Sequence, residues 1–307
     1  MGLGWVGAVT RARALITRSL DVSGAREVAA AATLGDALRQ LAATPYRRYV
    51  TTDATLAQAQ RAVSATLLWH LRVLAGWLPY TGADALRLLA AGFEIANAEQ
   101  RLRSLTGGSA AQPYRLGSLA TASRRIGQAA APSELRAALT SSAWGDPGGD
   151  SPAAMAIGMR ISAAARTAER LPPARRWATG RAAVLVGREL FVHGRPLTEP
   201  TARRASELLG RRAVEAPSFE EFRALLPRHA RRPVADIAEA GDLWRAEARW
   251  WTALEEDGVA MTHDRGYGLT PVVGAVAVLS VDAWRLRAAL ELAARGGGSL
   301  EVLDAVV

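Results

Sequence analysis

The chain has no cysteine and no lysine, and its single asparagine is Asn97. Without cysteine there is no disulfide framework and no thiolate chemistry, which fits a reducing compartment. Without lysine there is neither a Schiff-base amine nor the lysine of a phosphate-binding loop. All 38 basic residues are therefore arginine, a bias that reads, beside abundant Ala, Gly and Leu, as a GC-rich genome. Long hydrophobic runs are also lacking. The nearest approach, residues 271–284, contains Ser280 and Asp282 and is followed by Arg285 and Arg287, too short and too polar to span a bilayer. Arg11 and Arg13 stand where a signal peptide needs its apolar region, and Val6 where a myristoylation motif prefers Ser or Thr. The chain is expected to be soluble. Period-two alternation rich in β-branched residues is missing, which excludes a sheet-based fold.

What is present is a large apolar fraction, 50% of 307 residues, on a chain of net charge +9. That supports a sizeable core and an acidic partner: nucleic acid, anionic lipid or an acidic protein face. The charge is not a block. Arg-Arg pairs at 47–48, 124–125, 175–176, 203–204, 211–212 and 231–232 are scattered among carboxylates and read as solvated surface.

Candidate chemistry is sparse. His70, His193, His229 and His263 have no second histidine at metal-ligand spacing on one helix. His70, beside Trp69, reads as a surface or satisfied half-buried side chain. Glu255-Glu256-Asp257 reads as a solvated helix end, and the glycine-rich segments 145–149 and 296–298 as linkers or helix stops rather than phosphate loops. Trp244, Trp250 and Trp251 lie beside Arg245 and Arg249, a pattern that could stack bases. Trp244 and Trp251 also share an apolar stripe, which assigns them to the core. No catalytic residue, cofactor site or metal site is expected.

One pattern runs through the chain three times: a helix-like stretch, a short helix, then two long amphipathic helices. The short helices open at Thr33-Leu34-Gly35-Asp36, Ser133-Glu134-Leu135 and Ser218-Phe219-Glu220-Glu221, the first and third fitting a capping box. In the first pass Thr51-Thr52-Asp53 is expected to cap a long helix with Leu56, Val63, Leu67, Leu71, Leu74 and Leu78 on one face. Residues 79–82 would turn the chain and 84–105 return. In the second, residues 152–170 and 173–193 make the pair. In the third, Pro233 leads a long helix and Thr270-Pro271 opens the last one, with a final short helix over 299–306. The expectation is an all-α protein of three similar helical modules, at 1–113, 114–197 and 198–307.

Several segments resemble one family. Residues 6–16, Val-Gly-Ala-Val-Thr-Arg-Ala-Arg-Ala-Leu-Ile, are similar to the first helix of the central-stalk subunit of V-type and A-type rotary ATPases, known as the C subunit in prokaryotes and the d subunit in eukaryotes. Residues 33–46, ending Leu-Ala-Ala-Thr-Pro-Tyr, resemble its short-helix motif. Residues 93–103, with Asn97 before a basic, Leu-rich turn, and 268–273, Gly-Leu-Thr-Pro-Val-Val, resemble two further motifs in the same order. In the last helix, Leu279-Ser280 and Arg285 stand where the family usually carries a Lys-Glu pair and an Asn.

The resemblance implies a pseudo-threefold funnel with no catalytic role. It would join the rotor shaft, subunits D and F, to the membrane proteolipid ring, near the membrane stator subunit, and take no small-molecule substrate. Proton or sodium transport by the complex and a cytoplasmic, membrane-peripheral location follow from the same resemblance. Candidate partner contacts on the matching motifs are Arg11, Arg13, Arg101, Arg103, Arg285 and Arg287. The alternative reading is a basic helical repeat protein that binds nucleic acid or another anionic surface.

Overall fold

The structure is a computed structural model that describes residues 3–109 and 111–299. It is all-α, 73% helical, with no strand among the described residues. In chain order the helices are α1 (Leu3–Ile16), α2 (Asp21–Ala29), α3 (Leu34–Ala42), α4 (Leu56–Ala75), α5 (Tyr80–Leu89), α6 (Ala91–Leu105), α7 (Ser123–Gln128) and α8 (Pro132–Thr140). They continue as α9 (Pro152–Arg170), α10 (Arg175–Gly187), α11 (Glu199–Leu209), α12 (Arg211–Val214), α13 (Phe219–Leu225), α14 (Arg228–Arg231), α15 (Leu243–Thr262) and α16 (Leu269–Ala294).

The starts follow local chemistry, with several shifts from expectation. Thr33 and Ser218 cap α3 and α13, each accepting a hydrogen bond from the backbone N–H three residues on. Helix α8 begins one residue before Ser133, at Pro132, whose missing N–H costs nothing at a first helical position. The cap of α4 is Thr55, not the 51–53 segment. Thr55 accepts from Gln58 N–H while the Gln58 side chain accepts from Thr55 N–H, a reciprocal pairing that wins over the earlier hydroxyls. The expected turn at 79–82 is already helical, and the return helix breaks at Ala90 into α5 and α6. Pro233 lies in a tight turn, Arg232–Val234, and the long helix starts only at Leu243. The expected final helix, 299–306, lies beyond Ser299 outside the described residues.

The chain divides into two compact units, residues 1–83 with 251–307, and residues 84–250. In the first, α16 packs against α1, α2 and α4, so the end of the chain forms a core with its beginning. Val28, Leu38, Leu41, Val63, Leu286 and Leu290 are among its buried side chains. Helix α16 has 26 residues, long and apolar enough by length and composition to cross a membrane, but 67% of that apolar stretch is buried inside the protein. It runs close to the C-terminal part of α15. A Cβ at Gly274 would meet the Gly258 carbonyl oxygen at 2.6 Å and Met261 Cβ at 2.7 Å, so only glycine permits this approach.

Asp282 of α16 is buried in this core and seats the short helices of the first pass. Its Oδ1 accepts from the N–H groups of Leu20 and Asp21, both at 3.1 Å, and its Oδ2 accepts from the Tyr46 hydroxyl at 2.6 Å. Asp21 has a positive φ of 58°, a conformation Asp tolerates better than most side chains and that the carboxylate above it holds in place.

The second unit repeats the device. Glu94 of α6 is 1% exposed. It accepts from the N–H groups of Thr121 and Ala122, from Ser123 Oγ and from Trp144 Nε1, at 2.6–3.1 Å. As with Asp282, a carboxylate on the second long helix caps the start of a short-helix cluster and grips an aromatic polar tip at its end. Three residues on, Asn97 accepts from Tyr114 N–H at 2.6 Å and donates to its carbonyl at 2.8 Å. The seam between α10 and the short helices after it is apolar: a Cβ at Gly187 would sit 3.3 Å from Phe222 and 3.6 Å from Phe219. Segment 145–149 is not a linker. Arg136 pairs with Asp146, Thr198 donates to the Pro147 carbonyl at 2.7 Å, and Arg204 donates to the Asp146 carbonyl at 2.9 Å. Segment 296–298 does stop a helix: Gly297 N–H donates to Leu292 and Gly298 N–H to Ala29.

Two outcomes follow. Glu94→Ala strands several buried donors, so chemical denaturation should report a loss of about 3–5 kcal/mol. Burial pushes Asp282 up to about 6 against the ordinary 3.8, opposed by its bonds from Tyr46, Leu20 and Asp21. The native state therefore holds this proton more tightly, and its contribution to stability falls as pH rises from about 4 to about 6. Asp282→Asn should flatten that fall, by at most about 1.4 kcal/mol per pH unit, in unfolding titrations across the window.

Candidate functional site

The first unit carries one pocket with a chemical character of its own. The Tyr46 hydroxyl is anchored on Asp282, which fixes the tight turn Pro45–Arg48. Thr44 caps that turn, accepting from Tyr46 N–H at 3.2 Å and donating to the Leu41 carbonyl at 2.7 Å. With Tyr46 held inward, Arg47 and Arg48 are exposed. Helix α4 brings Trp69 and His70 to the same place, and α1 leads into Arg18. These side chains line a cleft of about 530 Å³. The Arg48 guanidinium lies over the Trp69 ring at 4.4 Å, within cation–π range.

His70 is the unusual member. It is 4% exposed, contrary to the surface or satisfied role expected of it. Its ring lies 5.1 Å from that of Trp69, and neither ring nitrogen has a hydrogen bond among the described residues. Burial pushes its pKa down to about 4, helped by the charges of Arg18, Arg11 and Arg48. Arg11 Nε is buried without a hydrogen-bond partner. None of Arg11, Arg18, Arg47 and Arg48 has a carboxylate partner among the described residues. The signal for this cluster is an absence: segments 37–52 and 54–83 contain no Asp or Glu, and residues 1–83 hold nine arginines against four carboxylates.

The other candidate arginines divide by environment. Arg13 donates to the Asp264 carbonyl at 2.7 Å, and Arg101 donates twice to the Ala129 carbonyl at 2.6 and 2.8 Å. Arg285 is 13% exposed and paired with Glu255, so that carboxylate is engaged in the fold rather than part of a solvated helix end. Arg287 is half-buried and its carbonyl accepts from Gln60. Arg103 is exposed. Of the six, Arg11 alone acts on the pocket.

Exposed aromatics form the second kind of surface. Trp77 and Tyr80 are 55% and 84% exposed at the end of α4 and the start of α5, with Val6 also exposed on α1, where a Cβ at Gly7 would lie 3.5 Å from the Trp77 ring. Trp244, assigned to the core by its stripe, stands in the first turn of α15 and is 51% exposed. The Arg245 guanidinium covers its ring at 5.2 Å. Trp250 instead donates to the Trp177 carbonyl at 2.8 Å, and Trp251 stacks on Trp284. Among the described residues no three His, Asp or Glu side chains converge as metal ligands. Comparison with family models and with curated proteins found no match.

The depressed His70 pKa has a measurable sign. The unfolded imidazole, near 6.5, binds a proton more readily than the folded one, so its contribution to stability is lost as pH falls from 6.5 towards 4. His70→Gln should remove that part of the acid sensitivity in unfolding free energies measured over this range.

Proposed function

We propose that this chain is the central-stalk subunit of a V-type or A-type rotary ATPase. It would be a non-catalytic socket, three helical modules about a common axis, between the shaft subunits D and F and the membrane proteolipid ring. The observation that carries this reading is the repeated carboxylate seat. Glu94 and Asp282 occupy matching places in two modules and hold the next short helices in the same way. Duplicated modules joined by buried, fully bonded seats suit a part that transmits torque, because such seats resist sliding of one helix past another. The family-like motifs at residues 6–16, 33–46, 93–103 and 268–273 give the reading its name. Its location would be cytoplasmic and peripheral to the membrane through the complex, which moves protons or sodium ions.

The contact surfaces on this reading are the exposed aromatics at Trp77 and Tyr80, with Arg103 as a charged neighbour-seeking side chain. Co-expression with the shaft subunits and the proteolipid ring should give a complex that purifies together. Tyr80→Asp combined with Trp77→Ser should weaken recovery at least about tenfold while leaving the helical spectrum unchanged. Failure of the unaltered chain to co-purify with either partner would sink the assignment.

A second reading, a helical protein that binds nucleic acid or another anionic surface, is favoured by the exposed Trp244 beneath Arg245. Its signature is an affinity for single-stranded nucleic acid that falls steeply with salt and is lost in Trp244→Ala.

A further inference from the structure

We propose that the cleft lined by Arg18, Arg47, Arg48, Trp69 and His70 is a binding site for a phosphoryl group, as free phosphate or as a phosphate monoester. The inference goes beyond the rotor reading and does not rest on it. Three exposed guanidinium groups converge on one cleft, and none is neutralised by a carboxylate of the described chain. His70 lines the same cleft and is 4% exposed, and Arg11, whose charge acts on His70, has its Nε buried without a partner. Polar groups shut off from bulk water are nearly always satisfied, and unneutralised guanidinium groups gathered around a largely buried histidine call for an account. A bound oxyanion supplies one.

The chemistry favours phosphoryl over a single carboxylate. A monoanion would offset only one of the converging charges, whereas a phosphate monoester carries close to two near neutral pH and offers three acceptor oxygens. Guanidinium forks match those oxygens in geometry as well as charge. His70 lies behind the arginines as a neutral imidazole, so one ring nitrogen can donate to an oxygen without adding to the cationic repulsion. A cleft of about 530 Å³ exceeds the needs of a bare ion and leaves room for the group that carries the phosphate. The positions are not accidental to the fold. Tyr46, held by Asp282, sets the turn that carries Arg47 and Arg48, and the Trp69 ring holds Arg48 in place.

The test uses the full chain. Inorganic phosphate is titrated at constant ionic strength with chloride as the balancing salt, and the His70 imidazole resonances are followed by NMR. A saturable shift is expected, with a rise in His70 pKa as the anion offsets its arginine neighbours. The double variant Arg18→Ala/Arg48→Ala should raise the dissociation constant at least about tenfold, the loss of charge-assisted hydrogen bonds to an oxyanion. Both side chains are exposed, so this variant should keep the fold, and Arg103→Ala should bind as the unaltered chain does.

Vesicles of phosphatidic acid in phosphatidylcholine form a separate arm. Binding to them that the double variant loses assigns the phosphate to a lipid headgroup, and binding of inorganic phosphate alone assigns it to a soluble ligand. The proposal is overturned if neither arm shows saturable binding, if the double variant and Arg103→Ala respond alike, or if succinate binds as tightly as phosphate.

Discussion

A buried carboxylate with every oxygen engaged is the contact on which the rest of this molecule depends. Asp282 and Glu94 are taken out of water by dense aliphatic helices, and that would be prohibitive without compensation. Compensation comes from backbone N–H groups at the start of a short helix, which lack intrahelical partners, and from an aromatic polar tip at the far end of the same cluster. Two deficits cancel: the orphan donors of a helix start and the orphan charge of a core carboxylate. The geometry needed for that cancellation fixes where each short-helix cluster sits on its long helix. For Asp282 it extends further, because Tyr46 also determines where Arg47 and Arg48 emerge.

Much of the helical layout was legible in sequence. The apolar stripe of α4, the proline-led α9 and the glycine stop after α16 obey local rules, and local rules survive folding. Boundaries failed where two local signals competed. Thr55 displaced the 51–53 hydroxyls because Gln58 could return its hydrogen bond, and Pro233 could not hold a helix through the following glycine-containing loop. The carboxylate seats were not legible. Glu94 and Asp282 look like ordinary polar residues on helices, and only the fold brings residues 27 and 261 positions away onto their oxygens.

The basic cleft was hidden for a related reason. Arg18, the Arg47-Arg48 pair and His70 are ordinary one at a time, and Arg-Arg pairs elsewhere in the chain read as solvated surface. What distinguishes this cluster is that none of its arginines is paired with a carboxylate among the described residues. Trp244 misled in the opposite direction: its spacing to Trp251 is that of one helical face, but it stands in the first turn of α15 and stays exposed. Both cases show side-chain identity mattering less than which neighbours the fold provides.

The three seams between long helices and short-helix clusters are not chemically equal. Two are ionic and hydrogen-bonded, and the third is a glycine notch filled by the rings of Phe219 and Phe222. Apolar contact weakens on cooling, while charge-assisted hydrogen bonds do not share that dependence. Near freezing, the second unit would thus loosen first at its phenylalanine joint, with the Glu94 joint still closed. Cold, rather than heat, is the condition that separates them.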